Sequence, residues 1–259
     1  MSFKLFAIAS LAFEALVSAS PMEASVARRN SGGSPSKFKV LTGQWDTESL
    51  NGGYYTLYNN LWGMPAATSG WEFTQATSVN GTNVAWATTY SWVDGPYNVK
   101  GYANLGLSSG LGKQLSGINS IVTEWNWTYS AASTDLVANV AYDLWLSPST
   151  SPENNSDEVM FWLSTRGGAH PVGSQNATFS AGGITWKLFK GTVSNWTVWS
   201  FVAPSEITSF NADFKPFITY LIDSHGLSSS KYLTGVQAGT ESFIGSATFT
   251  TTKYSVTVN

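Results

Sequence analysis

The stretch Leu136-Val-Ala-Asn-Val-Ala-Tyr-Asp-Leu-Trp-Leu146, followed by Glu158-Val-Met-Phe-Trp-Leu163, decides the fold class of this chain. Both runs are rich in β-branched and aromatic residues, and both are bounded by Ser, Asn, Asp or Gly. Such runs are typical of β-strands, in which successive side chains point to opposite faces. In the second run the odd-numbered residues therefore share one face and the even-numbered residues, beginning with Glu158, share the other.

The same pattern continues on both sides of these runs, from Phe38 to Asn259. Short β-branched or aromatic runs alternate with Gly, Ser, Asn and Pro, as in residues 84–93, 185–190 and 197–202. This punctuation, repeated about every ten residues, is typical of an all-β sandwich or barrel. We predict one β domain over residues 38–259.

One segment has helical spacing instead. Residues 213–223 place five apolar side chains on one face, Pro216 falls in the first turn where proline is tolerated, and Gly226 supplies a stop signal. We therefore predict a single short helix packed on the sandwich.

The N-terminal segment predicts secretion. Lys4 precedes an apolar run at residues 5–16, and small residues follow up to position 19, as in a cleaved signal peptide; the run is too short to span a bilayer. Residues 20–37 are polar, contain Arg28-Arg29 and predict a pro-segment or flexible lead-in. No later stretch approaches the ~20 apolar residues of a membrane helix, so we expect an extracellular protein without a membrane anchor. We also expect glycosylation, because five sequons follow, at Asn80, Asn126, Asn154, Asn176 and Asn195.

Composition excludes several functional classes. The formal net charge is −3 and the longest cationic run is Arg28-Arg29, which argues against nucleic acid as a partner because that binding needs clustered cations. The chain has no Cys, which rules out disulfides and thiolate nucleophiles. Its two His residues, His170 and His225, are far apart and lie in no serine-hydrolase or metal-ligand motif. We therefore expect no metal or other cofactor.

Three carboxylates lie in apolar strands rather than in polar turns. If the face of Val159 packs between two sheets, Glu158 points to an open, aromatic-lined surface beside Met160 and Trp162. The other two carboxylates also share their faces with rings: Asp143 with Trp145, and Glu241 with Phe243. A carboxylate pair in an aromatic trough suits glycosidic bond hydrolysis, which uses one carboxyl as acid and another as nucleophile or base. Composition alone does not separate such an enzyme from a lectin, and each carboxylate taken singly also fits a structural role.

Five motifs then occur in a fixed order: Asn59-Asn60-Leu61-Trp62-Gly63, Ala138-Asn139-Val140-Ala141-Tyr142-Asp143-Leu144, Glu158-Val159-Met160-Phe161-Trp162-Leu163, Ser200-Phe201-Val202-Ala203 and Gly239-Thr240-Glu241-Ser242-Phe243-Ile244-Gly245. Together they resemble glycoside hydrolase family 12 over about residues 44–259. The resemblance implies a β-jelly-roll of two curved antiparallel sheets with a concave cleft. It also implies a retaining endo-β-1,4-glucanase, acting as a monomer on cellulose, mixed-linkage β-glucan or xyloglucan.

The resemblance also implies roles for individual residues. Glu158 matches the nucleophile, Glu241 the acid/base and Asp143 the carboxylate that hydrogen-bonds the nucleophile. Residues expected to bind substrate are Asn60, Trp62, Met160, Trp162, Phe243 and, in the loop of residues 168–173 that crosses the cleft, Pro171.

Three features depart from the family pattern. Ser242 stands where Pro is common, His170 stands where a small residue is usual, and the frequent N-terminal disulfide is missing. None removes a catalytic group. The motif at residues 233–240 resembles xyloglucan-active fungal members, whereas the loop that contains His170 does not, and we favour a general β-1,4-glucanase over a xyloglucan-specific enzyme. A non-catalytic glucan-binding protein is the rival from another class, disfavoured because both Glu158 and Glu241 are retained.

Overall fold

The computed structural model describes residues 37–259. The signal peptide predicted for residues 1–19 and the lead-in predicted for residues 20–37 lie outside this range, except for Lys37. The domain predicted from Phe38 onward falls within it. No helix in the described range is long and apolar enough to cross a membrane.

Fifteen strands and one α-helix form the described chain. The strands are β1 Val40–Leu41, β2 Thr47–Leu50, β3 Tyr55–Tyr58, β4 Ser69–Asn80, β5 Asn83–Val93, β6 Gly101–Leu107, β7 Lys113–Gln114, β8 Ile121–Ala132, β9 Val137–Ser147, β10 Asp157–Arg166, β11 Ser174–Ala181, β12 Ile184–Val193, β13 Trp196–Val202, β14 Ser209–Asp213 and β15 Tyr232–Val258, and the helix is α1 Lys215–His225.

The strands form two sheets that share β15. The front sheet has the order β2-β3-β6-β15-β9-β10-β13-β12-β11, with β7 also paired to β15. The back sheet contains β1, β4, β5, β8, β14 and the later part of β15. This arrangement confirms the jelly-roll sandwich. One pair differs from the all-antiparallel expectation: β10 and β13 are parallel, because the chain crosses to the far edge after β10 and returns inward through β11 and β12.

The main core lies between the two sheets and is largely aromatic. Trp86 and Trp125 of the back sheet and Tyr142 and Phe161 of the front sheet are fully buried within it. The other odd-numbered residues of the β10 run join Phe161 in this cluster, as the alternation predicted. Met160, Trp162 and Phe243 belong to a second cluster on the opposite face of the front sheet.

Helix α1 begins two residues later than predicted, at Lys215. Asp213 ends strand β14, and its carboxylate accepts hydrogen bonds from the backbone N–H groups of Ile121 and Lys215, at 2.8 and 2.9 Å. This acceptor satisfies a free N–H at the helix start. Gly226 ends the helix with φ 76°, the left-handed conformation that glycine adopts without a steric penalty.

Strand β15 carries the chain from the front sheet to the back sheet. Residues 232–242 pair mainly with β6 and β9, whereas residues from Gly245 onward pair with β5 and β8. At the crossing Gly245 has φ 91°, and a Cβ there would lie 2.8 Å from the Cα of Leu136. The bend leaves Glu241 in the centre of the front sheet.

Candidate active site

Three neighbouring strands of the front sheet carry the three carboxylates that the sequence singled out. Glu241 on β15 pairs with Asn139 of β9, and Glu158 on β10 pairs with Trp145 of β9. Asp143 lies between these two positions on β9. The sheet therefore places the two glutamates on strands that flank β9, and Asp143 on the strand between them, where its register partners are Met160 and Gln237.

Glu158 is 9% exposed and accepts a hydrogen bond from the indole Nε1 of Trp196, at 3.0 Å. Burial raises the pKa of Glu158, and the nearby Glu241 raises it further. Hydrogen bonds from Trp196 and Asp143 act in the opposite direction. These two donors stabilise the ionised form that a nucleophile needs.

Asp143 is buried, and burial raises its pKa well above the usual range, with the charges of Glu158 and Glu241 adding to the effect. Three neighbouring carboxylates in a desolvated site do not all ionise together. Asp143 is thus the group best suited to keep its proton, which it shares in a hydrogen bond with Glu158.

Glu241 is held by Asn139 through two contacts. The Asn139 side-chain nitrogen donates to Oε2 of Glu241, and the Asn139 side-chain oxygen accepts from the backbone N–H of Glu241, at 3.1 Å. Burial raises the pKa of Glu241 to about 7, while the hydrogen bond from Asn139 acts in the opposite direction. A carboxyl with this pKa can carry a proton at weakly acidic pH.

The segment that holds Asn60 and Trp62 lies beside the start of β6. Tyr102 donates its backbone N–H to the Asn60 carbonyl, and Gly63 donates to the Lys100 carbonyl, both at 3.0 Å. A Cβ at Gly63 would lie 1.9 Å from the Val99 oxygen, so only glycine permits this approach. Trp62 is 46% exposed, which leaves its ring free to contact a ligand.

The remaining predicted substrate-binding residues are less exposed to solvent than the open surface predicted from the sequence would make them. Met160 and Trp162 are buried, with the Trp162 indole nitrogen 3.4 Å from the Met160 sulfur, and Phe243 is also buried. Pro171 is buried as well, so its contact with substrate stays a prediction. His170 is exposed, and its Nδ1 lies 2.7 Å from the Pro171 carbonyl oxygen.

Two residues that contact the glutamates were not singled out from the sequence: Asn139 and Trp196. The alternation of β9 could have found Asn139, because it lies four residues before Asp143 and so shares its face. No local pattern could have found Trp196, because its place beside Glu158 depends on the parallel pairing of β10 with β13.

Within residues 37–259, no group of three or more His, Asp or Glu side chains is arranged to hold a metal ion.

Comparison with known proteins decides the family. Residues 53–259 match the model of Glycosyl hydrolase family 12. The chain belongs to this family. It is therefore a glycoside hydrolase, and the family 12 resemblance inferred from the five motifs is confirmed.

Relatives and solved structures of family 12 match most of the chain. A xyloglucan-specific endo-β-1,4-glucanase A of Emericella nidulans is 48% identical over 221 residues, covering 84% of this chain and 90% of that protein. The catalytic domain of Humicola grisea Cel12A, solved with a soaked thio-cellotetraose, has 36% identity and a TM-score of 0.79, covering 85% of this chain and 99% of that one. A family 12 xyloglucanase from Bacillus licheniformis has 27% identity and a TM-score of 0.76, covering 85% and 100%.

Proposed function

We propose that this family 12 enzyme cleaves β-1,4-glucan chains internally and with retention, using Glu158 and Glu241. The observation that carries the proposal is the different environment of the two glutamates. Glu158 receives hydrogen bonds from Trp196 and from the carboxyl of Asp143, whereas Glu241 receives one from the amide of Asn139; burial raises the pKa of both glutamates, to about 8 and about 7. The raised pKa values do not separate the two glutamates, so the assignment rests on the two donors around Glu158, which favour its ionised form and leave Glu241 as the acid.

In the first step Glu158 attacks the anomeric carbon while Glu241 gives its proton to the departing glycosidic oxygen. The carbon–oxygen bond to the leaving chain breaks as the bond to Glu158 forms, which gives a covalent glycosyl-enzyme. Glu241 is then ionised, and the pair of hydrogen bonds from its neighbour Asn139 keeps it in place.

In the second step Glu241 takes a proton from water, and the water oxygen attacks the same anomeric carbon. Glu158 leaves as a carboxylate, and two inversions give net retention. We predict that the two carboxyl groups lie about 5–5.5 Å apart, the separation typical of retaining enzymes.

Asp143 supports this cycle as a neutral acid. Its pKa is raised well above the usual range by burial and by both glutamates. In this form it donates a hydrogen bond to Glu158 without adding a third negative charge. The donor fixes the orientation of the nucleophile between the two steps.

The exposed Trp62 and the neighbouring Asn60 are the residues we propose to hold a glucosyl unit on the non-reducing side of the cleaved bond. The flat apolar face of a glucose ring packs on an indole, and an Asn amide can hydrogen-bond a sugar hydroxyl. Met160, Trp162 and Phe243 form the buried apolar support around the reacting unit.

Xyloglucan is a second candidate substrate. It is favoured by the 48% identity to a xyloglucan-specific enzyme, which exceeds the 36% identity to the Humicola grisea enzyme solved with a thio-cellotetraose. Initial rates on carboxymethylcellulose, barley β-glucan and tamarind xyloglucan distinguish the candidates. Comparable rates on unbranched and branched chains support the general glucanase; a xyloglucan rate more than about tenfold above the others, a 1.4 kcal/mol preference, establishes the xyloglucan-specific enzyme instead.

We also propose that the enzyme is secreted through the leader at residues 1–19 and acts as an extracellular monomer. Four of the five sequons, at Asn80, Asn154, Asn176 and Asn195, are exposed, and Asn126 is half-buried. The exposed positions give glycosylation the access it needs. Mass spectrometry of protein from the culture medium tests both the cleavage site and the glycans.

A further inference from the structure

Another buried carboxyl, that of Glu72, lies outside the catalytic trio. Glu72 on β4 is 3% exposed, and its Oε2 accepts hydrogen bonds from the hydroxyl of Ser242 at 2.7 Å and from the indole Nε1 of Trp92 at 3.0 Å. Its other oxygen, Oε1, is buried and has no hydrogen-bond partner among residues 37–259. A buried carboxylate oxygen without a partner is costly, whereas a protonated carboxyl carries no net charge.

The hydroxyl that donates a hydrogen bond to Glu72 belongs to Ser242, the residue directly after Glu241. The backbone of Ser242 is also fixed, because its carbonyl accepts the N–H of Lys100 at 2.7 Å. The next carbonyl, that of Phe243, accepts a hydrogen bond from the ammonium group of Lys100 at 2.8 Å. The strand segment that presents Glu241 is thus held by Glu72 of β4 in the back sheet and by Lys100, which directly precedes β6 of the front sheet.

No cation within the described chain forms an ion pair with Glu72. The ammonium group of Lys100 donates its hydrogen bonds to the carbonyls of Gly95, Asn98 and Phe243 instead. From β5, the phenol of Tyr90 is the titratable group that interacts with Glu72. On the β6 side, a Cβ at Gly101 would lie 3.3 Å from Oε1, so glycine leaves space beside this oxygen that a larger residue would fill.

We propose that Glu72 is a positioning residue for Glu241 and that it acts as a neutral acid through the hydroxyl of Ser242. This role rests on the proposed assignment of Glu241 as acid/base. It also gives a reason for Ser at a position where family 12 commonly has Pro, since proline has no hydroxyl to donate. Burial supports the neutral form, because it raises the pKa of Glu72 to about 7.

The first test is thermal unfolding of Glu72→Gln and wild type across the pH range. Glutamine keeps the shape and the acceptor for Ser242 and Trp92 but does not ionise. We expect equal stability at about pH 3.5, below the unfolded pKa of 4.5, where Glu72 is neutral in the native and the unfolded state, and a variant that unfolds several degrees higher at pH 8. A variant less stable than wild type at pH 8 would mean that the ionised carboxylate is the native form, and would overturn the proposal.

Glu206→Gln is the matched control. Glu206 also accepts from a serine, Ser164 at 2.7 Å, but it is paired with Arg166, which lowers its pKa. Its substitution should therefore cost stability at pH 8 rather than add it, the opposite sign to Glu72→Gln.

The second test separates positioning from stability. Ser242→Ala and Glu72→Ala should lower kcat on glucan about tenfold, which is less than the roughly hundredfold that a 1 Å misplacement of a catalytic group can cost. KM should change little, and Glu72→Gln should keep the wild-type rate. Measured as kcat/KM, which reports the glycosylation step, the loss should shrink on an aryl cellobioside with a dinitrophenolate leaving group, because that step then needs no proton from Glu241. Equal losses on both substrates would contradict a role through Glu241. Glu241→Ala, measured in parallel, distinguishes a failure of the role proposed for Glu72 from a failure of the assignment of Glu241. If Glu241→Ala loses as much kcat/KM on the dinitrophenolate substrate as on glucan, the assignment of Glu241 as acid/base is itself wrong.

Discussion

At the scale of single residues, Asn139 fixes where the catalytic proton can sit. A backbone N–H only donates, so the side-chain oxygen of Asn139 must face the N–H of Glu241, and the side-chain nitrogen must then face Oε2 of the same residue. With Oε2 held as an acceptor, the proton of Glu241 resides on Oε1. The amide thus prepares one oxygen of the carboxyl for proton transfer.

Asn139→Ala is therefore expected to impair proton transfer more than folding. We predict a fall in kcat/KM on glucan of about tenfold or more, and not beyond the 10²–10⁴-fold that general acid catalysis contributes as a whole. An aryl cellobioside with a dinitrophenolate leaving group should be affected much less. Steady-state rates on both substrates check this, and an equal fall on the two would assign Asn139 a structural role only.

Much of the site could be predicted from the residues themselves. Alternation along β9 and β10 placed Asp143 and Glu158 on the aromatic face opposite the core, and the structure has them there. Trp196 and Glu72 were not predicted, because each reaches its partner through contacts between strands distant in sequence. Such contacts leave no periodic signal within one strand.

At the scale of elements, the connection between β5 and β6 is tied to β15 by one buried ammonium. Lys100 is fully buried and donates to the carbonyls of Gly95, Asn98 and Phe243 at 2.7, 2.7 and 2.8 Å. Burial lowers the pKa of this amine, and Asp94 opposes the shift. Three carbonyl acceptors replace the hydration that the ammonium loses on burial.

Lys100→Met should leave these carbonyls without their donor. We expect a loss on the order of 3 kcal/mol in the free energy of unfolding, from buried acceptors left unsatisfied, measured by urea denaturation. Lys113→Met is the control: Lys113 is exposed and donates to a single carbonyl, that of Val258. Its loss should stay within about 0.5 kcal/mol, as for other surface changes; equal losses would contradict the anchoring role.

Element boundaries were harder to predict than element types. The helix was expected from its apolar spacing, yet its start depends on Asp213, which belongs to β14 and bonds to a distant backbone N–H. Strand β15 continues through Gly235, Gly239 and Gly245, although glycine is typical of the segments between strands. Gly239 serves close packing, since a Cβ there would lie 2.2 Å from the Ala103 oxygen, whereas Gly245 allows the bend between the two sheets.

At the scale of the whole molecule, buried carboxyls set the direction of the pH dependence of stability. The pKa values of Glu72 and Glu241 are raised from 4.5 to about 7, and those of Asp143 and Glu158 are also raised. The native state therefore binds protons more strongly than the unfolded state. The stability this gives is fully present below about pH 4.5 and is lost as the pH rises through the native pKa values.

We accordingly predict that the melting temperature falls as the pH is raised from 5 to 8. Glu72 alone would account for a change on the order of 3 kcal/mol, at about 1.4 kcal/mol for each unit of pKa shift. Differential scanning calorimetry across this range tests the sign. A melting temperature that is higher at pH 8 than at pH 5 would show that ionised, paired carboxylates dominate instead.

The assignment of Glu158 as nucleophile and Glu241 as acid/base is tested most directly by the stereochemistry of azide rescue. Both Glu158→Gly and Glu241→Ala should lose glucanase activity by roughly a hundredfold or more, the usual minimum for such groups. With azide and an activated aryl cellobioside, Glu158→Gly should give a glycosyl azide of inverted configuration, since azide enters the vacated face. Glu241→Ala should give the retained azide, because the glycosyl-enzyme on Glu158 still forms and azide replaces water in the second step. The opposite pair of configurations, determined by NMR of the isolated azides, would contradict the assignment.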